Sequence, residues 1–193
     1  MHTVAASVRC RVTMLSLVGC VVAGMIGCAR SPEEAAVGFV RRLGGRADSI
    51  HRIDLAHTAA TDADLTRLVA AVGGAALAGV EELDLTHTAV TDGGLATLAA
   101  FPSLRKLSLT LTRVSDAGLP ALAALGKLSE LYLIETAVTD AGVEPLCRLL
   151  SLRRLVLLRT AVGDAGLERL RQALPDAMIH VEPPAARARR AAR

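Results

Sequence analysis

The stretch VEELDLTHTAVTDGGLATL, Val80 to Leu98, decides the fold, because it returns three times downstream and once upstream. The downstream copies are LRKLSLTLTRVSDAGLPAL from Leu104, LSELYLIETAVTDAGVEPL from Leu128 and LRRLVLLRTAVGDAGLERL from Leu152. A divergent copy, IHRIDLAHTAATDADLTRL, starts at Ile50 and is separated from the next by an insertion of six residues near Val72 to Ala78. Leu83, Leu107, Leu131, Leu155 and Ile179 follow one another at intervals of 24 residues. A fixed period of this length marks a stack of supersecondary units, none of which can bury its apolar face alone.

Within each copy the LxL alternation sends Leu83 and Leu85 to one side and Asp84 and Thr86 to the other, the period-two pattern of a short half-buried strand. Stacking puts Ile53, Leu83, Leu107, Leu131, Leu155 and Ile179 in parallel register and predicts a curved α/β solenoid. A Thr or Ser followed by Asp, as in Thr91-Asp92, Ser115-Asp116 and Thr139-Asp140, reads as a helix N-cap signature. The cap accounts for Asp62, Asp92, Asp116, Asp140 and Asp164 together, without a metal or catalytic role. Pro120 and Pro145 fall just inside the same helices and keep them short or irregular.

The copies resemble leucine-rich repeats of a subtype with a TDxGL signature, a resemblance that covers residues 50 to 181. It implies a parallel sheet on the concave face, short helices on the convex face, and partner binding on the concave side. Thr58, Thr88, Thr112, Thr136 and Thr160 stand where the family usually carries Asn, and their hydroxyls are expected to bond the neighbouring turn's backbone.

The ends differ from the middle. Arg9 and Arg11 precede a charge-free apolar run from Val12 to Ile26 that ends in MIGC at Cys28. This resembles a bacterial lipoprotein signal with its lipobox, which implies lipidation of Cys28; LVGC at Cys20 and an uncleaved membrane anchor are the alternatives. Ser31-Pro32-Glu33-Glu34 is a capping box opening a helix with Val37, Phe39, Val40 and Leu43 on its apolar face, stopped by Gly44-Gly45. The organisation expected is therefore a signal or anchor over 1–28, a capping helix and linker over 29–49, the repeat domain over 50–182, and a disordered Ala/Arg-rich tail over 183–193.

The formal net charge of +3 is spread over 22 basic and 19 acidic residues, and so nominates no nucleic acid. The column Arg52, Glu82, Lys106, Glu130, Arg154 alternates in sign, as a structural ladder would. Farther along the strands, Asp84, Thr86, His87, Thr110, Leu111, Tyr132, Ile134, Glu135, Val156, Leu158 and Arg159 form the expected binding face. Polarity falls along it, until Tyr132, Ile134, Val156 and Leu158 with Leu111 make an apolar patch. His57 and His87, each three residues after an Asp, are close enough for a metal or a pH-sensitive contact, but duplication of a repeat copies such residues without a joint role, and no metal is assigned. Cys147 sits at the helix position of Ala99 and Ala123 and reads as a small buried thiol.

No nucleophile beside a His and no phosphate-cradling loop is present, so neither catalysis nor a cofactor is expected. The reading is an exported, membrane-attached envelope protein that binds another protein or an envelope polymer, with a self-associating structural protein as the alternative.

Overall fold

A computed structural model of the chain describes residues 31–49, 51–72 and 77–182. The address segment with Cys10, Cys20 and Cys28, and the tail from Pro183, lie outside the described residues. Among the described residues the backbone forms one seven-stranded sheet whose spatial order is the chain order. Its strands are β1 (Arg46–Ser49), β2 (Arg52–Asp54), β3 (Glu82–Asp84), β4 (Lys106–Ser108), β5 (Glu130–Tyr132), β6 (Arg154–Leu157) and β7 (Met178–Val181). From β2 onward every pairing is parallel, and Ile53, Leu83, Leu107, Leu131, Leu155 and Ile179 lie directly across from one another. The expected α/β solenoid is the observed one.

The convex side is built from brief elements. α2 (Asp62–Val72) and α5 (Asp164–Ala173) are regular, whereas between them stand α3 (Asp92–Leu95), α4 (Val143–Leu146) and 3-10 turns at Ala96–Ala100, Leu119–Ala124 and Asp140–Gly142. Pro120 opens one of these turns, in keeping with a residue that suits a first turn and not an interior. Leu and Val fill the space between the layers: Leu83, Leu107, Leu131 and Leu155 are at most 1% exposed, and Phe101 is the largest fully buried side chain.

At the N-terminal end, α1 (Pro32–Arg42) starts with the expected capping box, in which Glu34 N donates to Ser31 Oγ and Ser31 N to Glu34 Oε2, both at 3.2 Å. Gly44 follows with φ +83°, a left-handed conformation that glycine adopts without steric cost. Residues 46–49 are more than the linker expected: β1 runs antiparallel to β2 and covers the edge that the first repeat would otherwise leave open.

The recurrent aspartates require a correction. The cap of α3 is Thr91, whose hydroxyl accepts from Gly93 N, and Asp92 behind it does something else. Asp62 Oδ1 and Oδ2 accept from the N–H and hydroxyl of Thr91, one repeat later, at 2.8 and 2.5 Å. Asp92 holds Ser115 in the same way, at 2.7 and 2.6 Å, and Asp116 holds Thr139 at 2.7 and 2.6 Å. Asp140 accepts from Gly163 N at 2.8 Å, where the hydroxyl is missing. Asp62, Asp92, Asp116 and Asp140 thus each fasten their own repeat to the next, through charge-assisted bonds stronger than neutral ones.

The glycine of the signature follows from the same geometry. A Cβ on Gly118 would stand 2.5 Å from Asp92 Oδ1 and 2.8 Å from Leu95 Cδ1, and Gly94, Gly142 and Gly166 meet Asp62, Asp116 and Asp140 likewise. The first copy carries Asp64 at this place. Asp64 accepts from the N–H and hydroxyl of Thr61 at 3.0 and 2.8 Å, and among the described residues no carboxylate of an earlier repeat is packed against it.

Candidate functional site

The strand face opposite the core carries the predicted columns, and the register aligns them as expected, with Arg52, Glu82, Lys106, Glu130 and Arg154 side by side. Arg52 pairs with Glu82 at 3.7 Å and Arg154 with Glu130 at 3.8 Å. These pairs are solvent-accessible, so water and salt screen them and they add little to stability. Lys106 instead sets its Nζ 5.9 Å from the ring centre of Tyr132. The Tyr132 hydroxyl donates to Glu130 Oε2 at 2.7 Å, and Arg154 Nη1 reaches that hydroxyl at 3.5 Å. The one tyrosine in the chain is thereby fixed by its neighbours on three strands.

In the next column Asp84 Oδ1 accepts from Thr86 N at 2.9 Å and from the Thr86 hydroxyl at 2.5 Å, and Asp54 Oδ1 accepts from Ala56 N at 2.9 Å. With the Thr86 proton on Asp84, Ser108 Oγ donates to Thr86 Oγ1 at 2.8 Å, and Thr110 Oγ1 lies 3.4 Å from Ser108 Oγ. The N-terminal half of the face is a hydroxyl network anchored on a carboxylate. Toward the C-terminal half, Tyr132, Ile134 and Leu158 are half-buried and Leu111 is 41% exposed. Val156 departs from the expected patch: it is 6% exposed, because its cross-strand neighbours on that face, Tyr132 and His180, both carry larger side chains. The apolar patch is accordingly narrower than the sequence pattern implied.

The residue two places beyond each strand's second core leucine was not legible as special. His57, His87, Leu111, Glu135 and Arg159 all adopt left-handed backbone, with φ between 54° and 58°. For residues with a Cβ this costs of order 1–3 kcal/mol each. The surrounding bonds enforce it: His57 N donates to Thr86 O, His87 N to Thr110 O and Leu111 N to Ile134 O, each at 2.8 Å. The turn then drives the following threonine inward. Thr88, Thr112, Thr136 and Thr160 are buried, and with Thr58 each donates its hydroxyl to the leucine carbonyl three residues earlier in its own repeat, at 2.7–3.0 Å. The threonine ladder thus makes local turn bonds, and the aspartates add side-chain bonds between repeats to the shared core and the backbone ladder.

Along this edge an open groove of 580 Å³ is lined by His57, His87, Leu111, Arg113 and Glu135 among others. The imidazole centres of His57 and His87 are 5.3 Å apart with ring planes at 33°. Arg159 pairs with Glu135 and reaches Glu182 at 3.9 Å.

A family model described as leucine-rich repeat matches residues 80–99 and 102–123. Over these two stretches the chain carries leucine-rich repeats. No curated protein sequence matches it. Among solved structures it is similar to a leucine-rich repeat protein of Leptospira interrogans, with 21% identity and a TM-score of 0.43 over 58% of this chain and 26% of that one. It is also similar to an internalin of Listeria monocytogenes, with 19% identity and a TM-score of 0.40 over 56% of this chain and 36% of that one. Internalin C2 of the same organism shares 15% identity and a TM-score of 0.31, over 78% of this chain and 94% of that one. The matched part of the leucine-rich repeat chain thus spans about a quarter to a third of the first two proteins. A leucine-rich repeat fold suggests a protein-interaction module.

Two further features bear on chemistry. Cys147 is half-buried, not fully buried as expected, with Sγ 4.0 Å from Arg169 O. Burial pushes its thiol up from the ordinary value and Glu144 adds to this against Arg169, so the protonated, weakly nucleophilic form is favoured. Among the described residues no helix is long and apolar enough to cross a membrane.

Proposed function

We propose that this protein is a non-catalytic binding module of the cell envelope, which takes a protein partner on the concave face of its sheet. The observation that carries the reading is the state of Tyr132. Its ring and hydroxyl are already held by Lys106, Glu130 and Arg154, beside Ile134, Leu158 and the exposed Leu111. An aromatic side chain ordered before a partner arrives loses little conformational freedom on binding, and tyrosine is enriched among residues that dominate interfaces.

Crosslinking in intact cells followed by mass spectrometry tests this with the Tyr132→Ala/Leu158→Arg variant beside the wild type. Loss of an anchoring aromatic typically costs about 2 kcal/mol or more, roughly thirtyfold in affinity. A partner protein recovered with the wild type is expected to disappear with the variant, while thermal unfolding stays close to that of the wild type. Capture that survives in the variant removes the concave face from consideration. Recovery of the chain's own copies alone favours self-association in the envelope.

Attachment to the membrane is the second part of the proposal, supported by the apolar run and the small residues ahead of Cys28. Cys28→Ser is expected to move the protein from the membrane fraction to the soluble one. Retention of the variant in the membrane, at the wild-type level, discards lipidation at this residue.

A further inference from the structure

We propose that His57 and His87 form a two-imidazole site for a divalent transition-metal ion of the zinc, nickel and copper class, with its remaining coordination positions open to solvent. Consecutive repeats supply the two donors, and their backbones are alike: φ is 58° at His57 and 55° at His87, and each N–H is bonded to the next repeat at 2.8 Å. Equal backbone settings on adjacent turns launch both side chains from the same edge of the sheet into the same groove.

The spacing matches a chelate. A zinc–nitrogen bond of about 2.0–2.1 Å, added to a ring radius of about 1.2 Å, sets each imidazole centre about 3.2 Å from the ion. Two such rings at a tetrahedral angle stand about 5.2 Å apart, against the 5.3 Å observed. Imidazole is a ligand that suits zinc, copper and nickel.

The aspartates do not belong to the proposed ligand set. Asp54 and Asp84 commit Oδ1 to the backbone of their own turns. Among the described residues no group of three or more His, Cys, Asp or Glu side chains is gathered for a metal. The site is therefore limited to two protein donors, and the groove leaves room for water or for a donor from a bound partner. Nor does the turn itself call for histidine, since Leu111, Glu135 and Arg159 occupy the same left-handed position in the other copies.

The test is a Zn²⁺ titration of the full chain in detergent, followed through the histidine ring resonances by NMR. The signals of His57 and His87 are expected to move together and finish at one equivalent, while those of His51 and His180 stay in place. His57→Asn and His87→Asn are suitable variants because asparagine tolerates the left-handed backbone. Each is expected to weaken Zn²⁺ binding about tenfold or more, since the second donor of a pair acts at a high effective concentration. The His51→Asn/His180→Asn variant should bind as the wild type does. An unperturbed pair of ring signals, affinity unchanged in both single variants, or binding that follows Cys147 alone overturns the site.

Discussion

Gly118→Ala is expected to lower the stability of the protein by about 3 kcal/mol, although alanine normally strengthens helical backbone. The backbone at this glycine is ordinary, with φ −82° and ψ −25°, so the loss owes nothing to conformation. It comes from contact: the new Cβ would lie 2.5 Å from Asp92 Oδ1, 2.8 Å from Leu95 Cδ1 and 3.0 Å from Asp92 Cα. The leucine methyl can rotate away, whereas the carboxylate cannot yield without loosening its bonds to Ser115 N and Oγ. Overpacking costs about 1–3 kcal/mol, and a weakened charge-assisted pair adds to it. For a domain of this size the melting temperature should fall by about 6–12 °C.

Two companion variants separate this account from a general intolerance of glycine replacement. Gly126→Ala places a Cβ with nothing within 4 Å and should change stability by less than about 0.5 kcal/mol. Asp92→Ala removes the clamp and leaves the Ser115 N–H without that acceptor, a loss of about 2 kcal/mol. The Asp92→Ala/Gly118→Ala protein should then be more stable than the sum of the single losses implies, by about 1 kcal/mol or more, because the carboxylate that the new methyl group would displace is already gone. Strict additivity, measured by denaturant unfolding of all four proteins, would falsify the clamp as the reason for the glycine.

The same residues separate what the repeat pattern encodes from what only stacking creates. Period and alternation are properties of burial, and burial is what a repeated LxL pattern encodes, so the sheet, its register and the core leucines followed directly. Asp92 was visible as recurrent, but its partner Ser115 lies 23 residues away. A nearby helix start offered a sufficient local explanation, and local explanations compete with contacts that only stacking creates. Asp64 in place of glycine is the available clue, since the first repeat alone lacks the glycine beside the clamp.

The left-handed column was hidden for a different reason. Such backbone is ordinarily announced by Gly or Asn, and here it is occupied by His57, His87, Leu111, Glu135 and Arg159. At His57, His87, Leu111 and Glu135 the N–H is bonded to a carbonyl of the next repeat, and no propensity of these residue types records it. The candidate face was legible as columns for the same reason the register was, yet Val156 was not separable from Leu158 by pattern. Its burial depends on the sizes of Tyr132 and His180 on adjacent strands, which a single copy does not contain.

Leu131→Ala and Ile179→Ala remove side chains from the same column, and their expected effects differ widely. In a solenoid each repeat touches its neighbours only, so a core residue is worth what the units on both sides enclose. Leu131 is 0% exposed on β5, between β4 and β6. Its truncation leaves a cavity that the flanking repeats cannot both collapse into, at a cost of about 2–5 kcal/mol. Ile179 is half-buried on β7, which pairs with β6 at the end of the described sheet, and losing part of a side chain already in contact with water should cost about 1 kcal/mol. Amide exchange distinguishes where the damage goes as well as how large it is. Leu131→Ala should raise exchange across β4, β5 and β6, because the two halves of the solenoid no longer support each other. Ile179→Ala should raise it in β7 and in the facing amides of β6, leaving β2 to β4 as protected as before. Equal losses at the two positions, or exchange that rises uniformly in both variants, would mean that the protein unfolds as one indivisible unit and that nearest-neighbour coupling does not govern it.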